Sequence, residues 1–406
     1  MTNMKKSSRS PLALIFGIVF IDLVGFGIVI PILPLYAQRF GASPLVIGML
    51  LGSYSLMQAI FAPVLGKLSD RFGRRPVLLI SVIGTSAGFL LMGLANSLPL
   101  LFLARIIDGV TGGNIATAQA YIADVTPPEK RSHGMGLIGA AFGLGFIFGP
   151  AIGGLLGHFS MAAPFLFAAA LSAVNALLVY LLLPESLPPE RRGKIHHRPS
   201  VMEIFKESKG WSLQIVLATY FFSTTAFSLL TATYPLFAVH RFSYSTIQIG
   251  AIFAGQGLVG AIIQGGLLGW LVKVFSDKNL TVVGAIVLAS GLFMLPLCDS
   301  TVSLLAATAM IAVGHSLITA PLNGLASKSV GAHSQGRVLG AMQSSASCAR
   351  IVGPVLGGWL LNADLGHPMA SFGRTPYWTG GVIMLFTVAL AVALKVSRPG
   401  SLSHGS

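Results

Sequence analysis

The sequence predicts an all-α membrane protein, with twelve transmembrane helices in two pseudo-symmetric six-helix bundles around a central cavity. Three observations carry this. The 406 residues are 54% hydrophobic and only 9% charged, with 48 glycines, and a mean hydropathy of +0.80 lies outside the soluble range. Apolar runs of about 18 to 25 residues, enough to cross a hydrocarbon core, recur along the whole chain. Short motifs recur half a chain length apart.

Taken in order, helices are predicted over 11–37, 44–65, 76–95, 98–122, 133–157 and 162–183, then over 211–239, 244–273, 279–297, 301–325, 337–361 and 375–395. The first apolar run follows Lys5, Lys6 and Arg9 and extends from Pro11 to Tyr36. That exceeds a signal-peptide apolar core of about 7 to 15 residues, so it reads as a retained span. Pro184 to Gly210, rich in Pro, Glu, Lys, Arg and His, is predicted to be a cytoplasmic linker between a first bundle (1–183) and a second (211–406).

The formal net charge of +14 has a membrane explanation. Of 26 Lys and Arg residues, twenty-one fall on loops of one side and three (Arg39, Arg241, Arg374) on the other, with Arg105 and Arg350 inside spans. Basic residues accumulate on cytoplasmic loops, so both termini are predicted inside and no nucleic-acid partner is implied. Cys298 lies at the very end of one predicted span and Cys348 inside another, which offers no disulfide framework, and no metal-ligand spacing or cofactor motif is present.

The halves read as copies. Pro34-Leu-Tyr-Ala recurs as Pro235-Leu-Phe-Ala, Ile47-Gly48 as Ile249-Gly250, and Gly149-Pro-Ala-Ile-Gly-Gly154 as Gly353-Pro-Val-Leu-Gly-Gly358, at spacings of 201 to 204 residues. An even six-helix repeat places both halves in one orientation about an axis along the membrane normal, with a substrate site between them and rocking-type access.

The stretch Gly66-Lys-Leu-Ser-Asp-Arg-Phe-Gly-Arg-Arg-Pro76 packs Lys67, Asp70, Arg71, Arg74 and Arg75 between two apolar runs, so it must sit at the water line. Gly66 and Gly73 permit a tight turn and close helix approach. Asp70 stands beside helix 3 and is able to meet a helix N-terminus; a contact to helix 11 would latch the halves together. The matching turn, Gly269 to Lys278, keeps charge without the pattern, so the latch is predicted to be one-sided. In helix 5, Gly145-Phe-Ile-Phe-Gly149-Pro150-Ala-Ile-Gly153-Gly154 combines small-residue packing with a proline that removes a backbone donor and predicts a kink. Its repetition in helix 11 favours a gating role over packing alone.

With Arg105 and Gly109 in helix 4, these motifs give the chain a resemblance to major facilitator superfamily transporters, and the first half resembles bacterial tetracycline and multidrug proton antiporters. The resemblance implies the major facilitator fold, a monomer in the cell membrane, and drug efflux driven by protons, of the kind that gives antibiotic resistance. It also marks Gly66, Asp70, Arg71, Gly73, Arg74, Gly145, Gly149, Pro150, Gly153 and Gly154 as gating residues. Two departures stand against tetracycline with its metal as the substrate. Those pumps carry an acid in helix 3, where this chain has Ser86-Ala87-Gly88, and another in helix 9, where Asp299 lies only at the outer end.

Ionisable residues inside spans are expensive and mark functional paths. Asp22 in helix 1 is the first choice for proton coupling. Arg105 and Asp108, three residues apart on one face, form either a closed pair that fixes helix 4 or, with Asp22, a proton relay. In the second half Arg350 has no acid in its own spans, and His315 is a second candidate proton carrier. Gln58, Asn114, Gln119, Tyr234, Gln256 and Gln343 complete a polar cavity for a small-molecule substrate. The function read from this is a proton-coupled antiporter exporting small amphipathic or hydrophobic compounds; the alternative is a transporter of anionic metabolites or drugs. A membrane enzyme lacks any suitable cluster of reactive side chains.

Overall fold

Every long apolar run forms a helix. The structure, a computed structural model, describes residues 11–127, 131–193, 212–329 and 335–394. Among these, twelve long helices follow one another. The first half holds α1 (Pro11–Gln38), α2 (Pro44–Phe72), α3 (Arg74–Gly93), α4 (Leu98–Val125), α5 (Arg131–Phe159) and α6 (Ala163–Leu182). The second holds α7 (Ser212–Phe242), α8 (Thr246–Val274), α9 (Asp277–Met294), α10 (Thr301–Lys328), α11 (Gln335–Ala363) and α12 (Arg374–Ala393).

Eleven of these helices are long and apolar enough to cross a membrane. The remaining one, α11, matches them in length but carries Gln343, Ser344, Ser345, Ser347 and Arg350. The predicted single helix 4 is interrupted at Gly112 and Gly113, and α8 contains a π turn at Ile263–Leu267. The helix around Pro150 is continuous.

Serines start matching helices. Ser43 accepts from Val46 N before α2, and Ser245 accepts from Gln248 N before α8, each satisfying an amide the first turn leaves open.

Packing repeats with the sequence. In the first half α1 lies on α5, and α3 on both α4 and α6; six helices later α7 lies on α11, and α9 on α10 and α12. The halves meet through α2 against α11 and α8 against α5. Two related glycine seams make these contacts close. A Cβ on Gly48 or on Gly250 would collide with the carbonyl oxygen of Pro354 or of Pro150 respectively. Gly358 and Gly154 press in the same way on the backbone of Pro44 and Thr246, and Thr246 Oγ1 donates to Gly154 O at 3.0 Å. All these residues lie toward the bundle end remote from Gly73, so that remote end is sealed.

At the opposite end the turn between α2 and α3 is stapled from three directions. Gly73 has φ +110°, and Glu185 occupies the space a side chain there would need. Glu185 accepts from the backbone amides of Arg74 and Arg75 at 2.9 and 3.2 Å. Arg74 donates to Asp70 at 2.6 Å and to Asp124, near the end of α4, at 3.0 Å. Thus the first part of the predicted linker, residues 184–193, lies on this turn. Its remainder, 194–210, falls outside the described residues, as do the basic residues before residue 11 and after residue 394.

Candidate functional site

Near the middle of the first half, the chain buries a charge cluster drawn from four helices. Arg105 and Asp108 are each 3% exposed on α4. One helical turn brings Arg105 Nη1 to Asp108 Oδ2 at 2.9 Å, and Thr85 of α3 stands within hydrogen-bonding reach of Asp108. Above the guanidinium lies Tyr54 of α2, its ring centre 4.3 Å from Arg105 Cζ. Gln58 Nε2 donates to Tyr54 OH at 3.0 Å and to Gly112 O at 2.7 Å. The bond falls at the break in α4, where a Cβ on Gly112 would stand 2.8 Å from the Tyr54 hydroxyl.

Asp22 reaches the same cluster from α1. Its charge acts on Asp108 and on Tyr54, and Asn114 is within hydrogen-bonding reach of it. Asp22 Oδ1, Asn114 Oδ1 and Arg105 Nε are buried without a hydrogen-bond partner among the described residues. Such atoms are costly to leave unmatched, so the cluster has unused capacity for a proton, water or a substrate group.

From across the interface comes Arg350 of α11. Its charge acts on Tyr54 of the first half and Tyr220 of the second, and it donates to Ser347 Oγ at 3.4 Å. No acid lies within ion-pair distance of it among the described residues. Asn323 of α10 is within hydrogen-bonding reach of Tyr220.

The remaining candidates scatter. His315 of α10 lies flat on Phe227, centroids 3.8 Å apart and planes 8° apart, and its Nδ1 is buried without a partner among the described residues. Gln256 Nε2 is likewise unpartnered. Tyr234 is fully buried against Phe253, away from the cluster, in the aromatic core of the second half. Gln119 and Gln343 are exposed on the hinge-side parts of α4 and α11.

Glycine contacts identify the second-half counterparts of the ion pair. Gly88 packs on Ala104 O and Asp108 as Gly291 packs on Ala307 O and Ile311. Arg105 and Asp108 therefore correspond to Thr308 and Ile311, and the buried ion pair belongs to the first half. Tyr54, Thr85, Tyr220 and Asn323 escaped the sequence reading. Tyr54 alone left a signal, since it stands four residues before Gln58 on one helical face.

Comparison with known proteins agrees with this architecture. The sequence model described as Major Facilitator Superfamily matches residues 15–354 and again 216–405. The chain belongs to that superfamily. Major facilitator proteins are multi-pass membrane transporters of small molecules, not enzymes. Over 354 residues, 86% of this chain and 89% of the relative, it is 36% identical to the class C tetracycline resistance protein of Escherichia coli. With the class E protein of the same organism it shares 34% over 403 residues, 95% of each. Its fold matches a crystal structure of the human organic anion transporter MFSD10 with a TM-score of 0.70, at 25% identity, covering 95% of this chain and 100% of that one.

Proposed function

We propose that this major facilitator transporter is a proton-coupled antiporter that exports small amphipathic or hydrophobic compounds by rocker-switch alternating access. The observation that carries the reading is Asp22. Its buried, unpartnered oxygen beside the Arg105–Asp108 pair gives a carboxyl both the depth and the free valence a proton site needs. Relatives named for tetracycline and multidrug resistance support the drug-export part. In this reading the protein works as a monomer in the cell membrane with both termini cytoplasmic, bundles 1–183 and 211–406, and a linker between them. The hinge then lies inside, and the sealed glycine seams close the outer end.

The test is Asp22→Asn in reconstituted vesicles, with ethidium and tetracycline as probes. Uptake driven by a pH gradient disappears while the purified protein keeps its unfolding temperature. Undiminished pH-driven uptake would falsify the reading.

Arg350 favours a second reading, transport of anions. Among the described residues it is a guanidinium without an acid beside it at the interface of the halves, and the solved structure at 25% identity is of an organic anion transporter. On this reading Arg350→Ala abolishes uptake of a test anion such as p-aminohippurate, while Arg350→Lys retains part of it. Equal uptake by all three proteins removes the anion reading.

A further inference from the structure

Asp277 is the first residue of α9 and is buried, 8% exposed. Its Oδ2 is held by Nζ of Lys328, the last residue of α10. In the first half the equivalent place holds Arg74, the first residue of α3, paired with Asp70 and with Asp124 near the end of α4. The repeat spacing brings them into register. Arg74 and Asp277 are 203 residues apart, Asp70 and Lys273 also 203, and Asp124 and Lys328 are 204. At each position the sign is reversed, so minus, plus, minus becomes plus, minus, plus.

Helix electrostatics accounts for the reversal. A helix N-terminus favours an anion. Opening with Arg74 and Arg75, α3 takes its anion from elsewhere, as the Glu185 carboxylate accepts both backbone amides. By contrast α9 opens with its own acid, and Ser276 accepts from Asn279 N at 3.2 Å. Once the acid occupies the first position of the helix, the clamp from the neighbouring helix has to be a base. Room for it exists because α10 has Gly324 opposite, where even a Cβ would stand 3.8 Å from Asp277 Oδ2.

We infer that Asp277 and Lys328 form a second hinge-end clasp, charge-inverted relative to Asp70–Arg74–Asp124, with Lys273 in the place of Asp70. The clasp fixes the start of α9 to the end of α10 as Arg74 fixes α3 to α4, so that end of each half moves as a rigid unit when access alternates. These are positioning residues, and the inference rests on the transporter reading above.

The test uses the full chain with nitroxide labels at Phe72→Cys and Phe275→Cys, which are 51% and 46% exposed at matching places, with Cys298 and Cys348 replaced by serine. Electron–electron distance distributions are recorded without substrate, and ethidium efflux is followed separately. Asp277→Asn and Lys328→Met each broaden the distribution and lower efflux about tenfold, the double variant is no worse than either single one, and Lys328→Arg behaves as wild type. Lys328 is largely exposed, so Lys328→Met keeps the question open to refutation should Asp277→Asn fail to fold. The clasp is overturned if Lys328→Met leaves both readouts at wild type, or if the double variant adds the two losses. If the unsubstituted protein moves no ethidium while the distances respond as stated, the export reading fails and the clasp stands.

Discussion

Arg105 is gripped between two partners, with Cζ 4.3 Å from the centre of the Tyr54 ring and Nη1 2.9 Å from Asp108 Oδ2. A desolvated cation over an aromatic face is stabilised by about 2 kcal/mol. The ring, not its hydroxyl, therefore does most to hold the guanidinium. Tyr54→Phe is expected to transport near the wild-type rate, losing only the bond from Gln58. Tyr54→Leu is expected to lose several-fold in rate and to unfold at lower temperature. Initial rates in vesicles and thermal unfolding of the purified variants check this, and equal behaviour of the two variants contradicts it.

The glycine seams make a steric prediction. An isopropyl side chain at Gly48 or Gly250 drives its Cβ into the carbonyl oxygen of Pro354 or Pro150, and a close-packed interface yields only by separating. Gly48→Val and Gly250→Val are expected to prevent sealing of the end remote from the hinge. Residues there should become reactive to a water-soluble maleimide added from that side, and transport should stop. Continued transport by both variants would show that the seams are not needed for closure.

Asp70 offers a test of the hinge itself. Asp70→Asn removes the charge that holds Arg74 at 2.6 Å and, in the latch reading, the anion offered to helix 11. The expected result is a shift in the proportion of molecules sealed at the remote end, measured as label distances across it. Substrate affinity should change less. A large loss of affinity with an unchanged conformational balance would refute the latch.

Much of the fold was legible because hydropathy and charge act over whole segments. The twelve long helices, the repeat and the charged turn each rest on many residues, so no single misreading mattered. The buried cluster was half legible. Asp22, Arg105, Asp108 and Asn114 are conspicuous as polar residues in apolar surroundings, and they do meet. Tyr54 left only its spacing from Gln58 as a signal, since an aromatic in an apolar run looks like ordinary packing until a guanidinium is found beneath it. Tyr234 shows a different limit: its hydroxyl suggested a cavity, and the structure buries its ring against Phe253 with the hydroxyl unpaired among the described residues. The clasp at Asp277 was hidden for another reason. Motif reading follows residue identity, and what the second half preserves is geometry with the signs exchanged.

The π turn in α8 carries a record of how the halves diverged. Before it, second-half residues trail their partners by 202 positions, as Gly250 trails Gly48; after it the lag is 203, as Gly269 trails Gly66. Between these points α2 runs on as an unbroken α-helix, whereas α8 winds Ile263–Leu267 as a π turn. One extra residue in an α-helix would rotate everything beyond it by roughly 100°. A single wide turn absorbs the insertion locally. The glycine at one end of α8 and the clasp just past its other end have thus kept the azimuths of their ancestral copies, with the evolutionary scar confined to five residues between them.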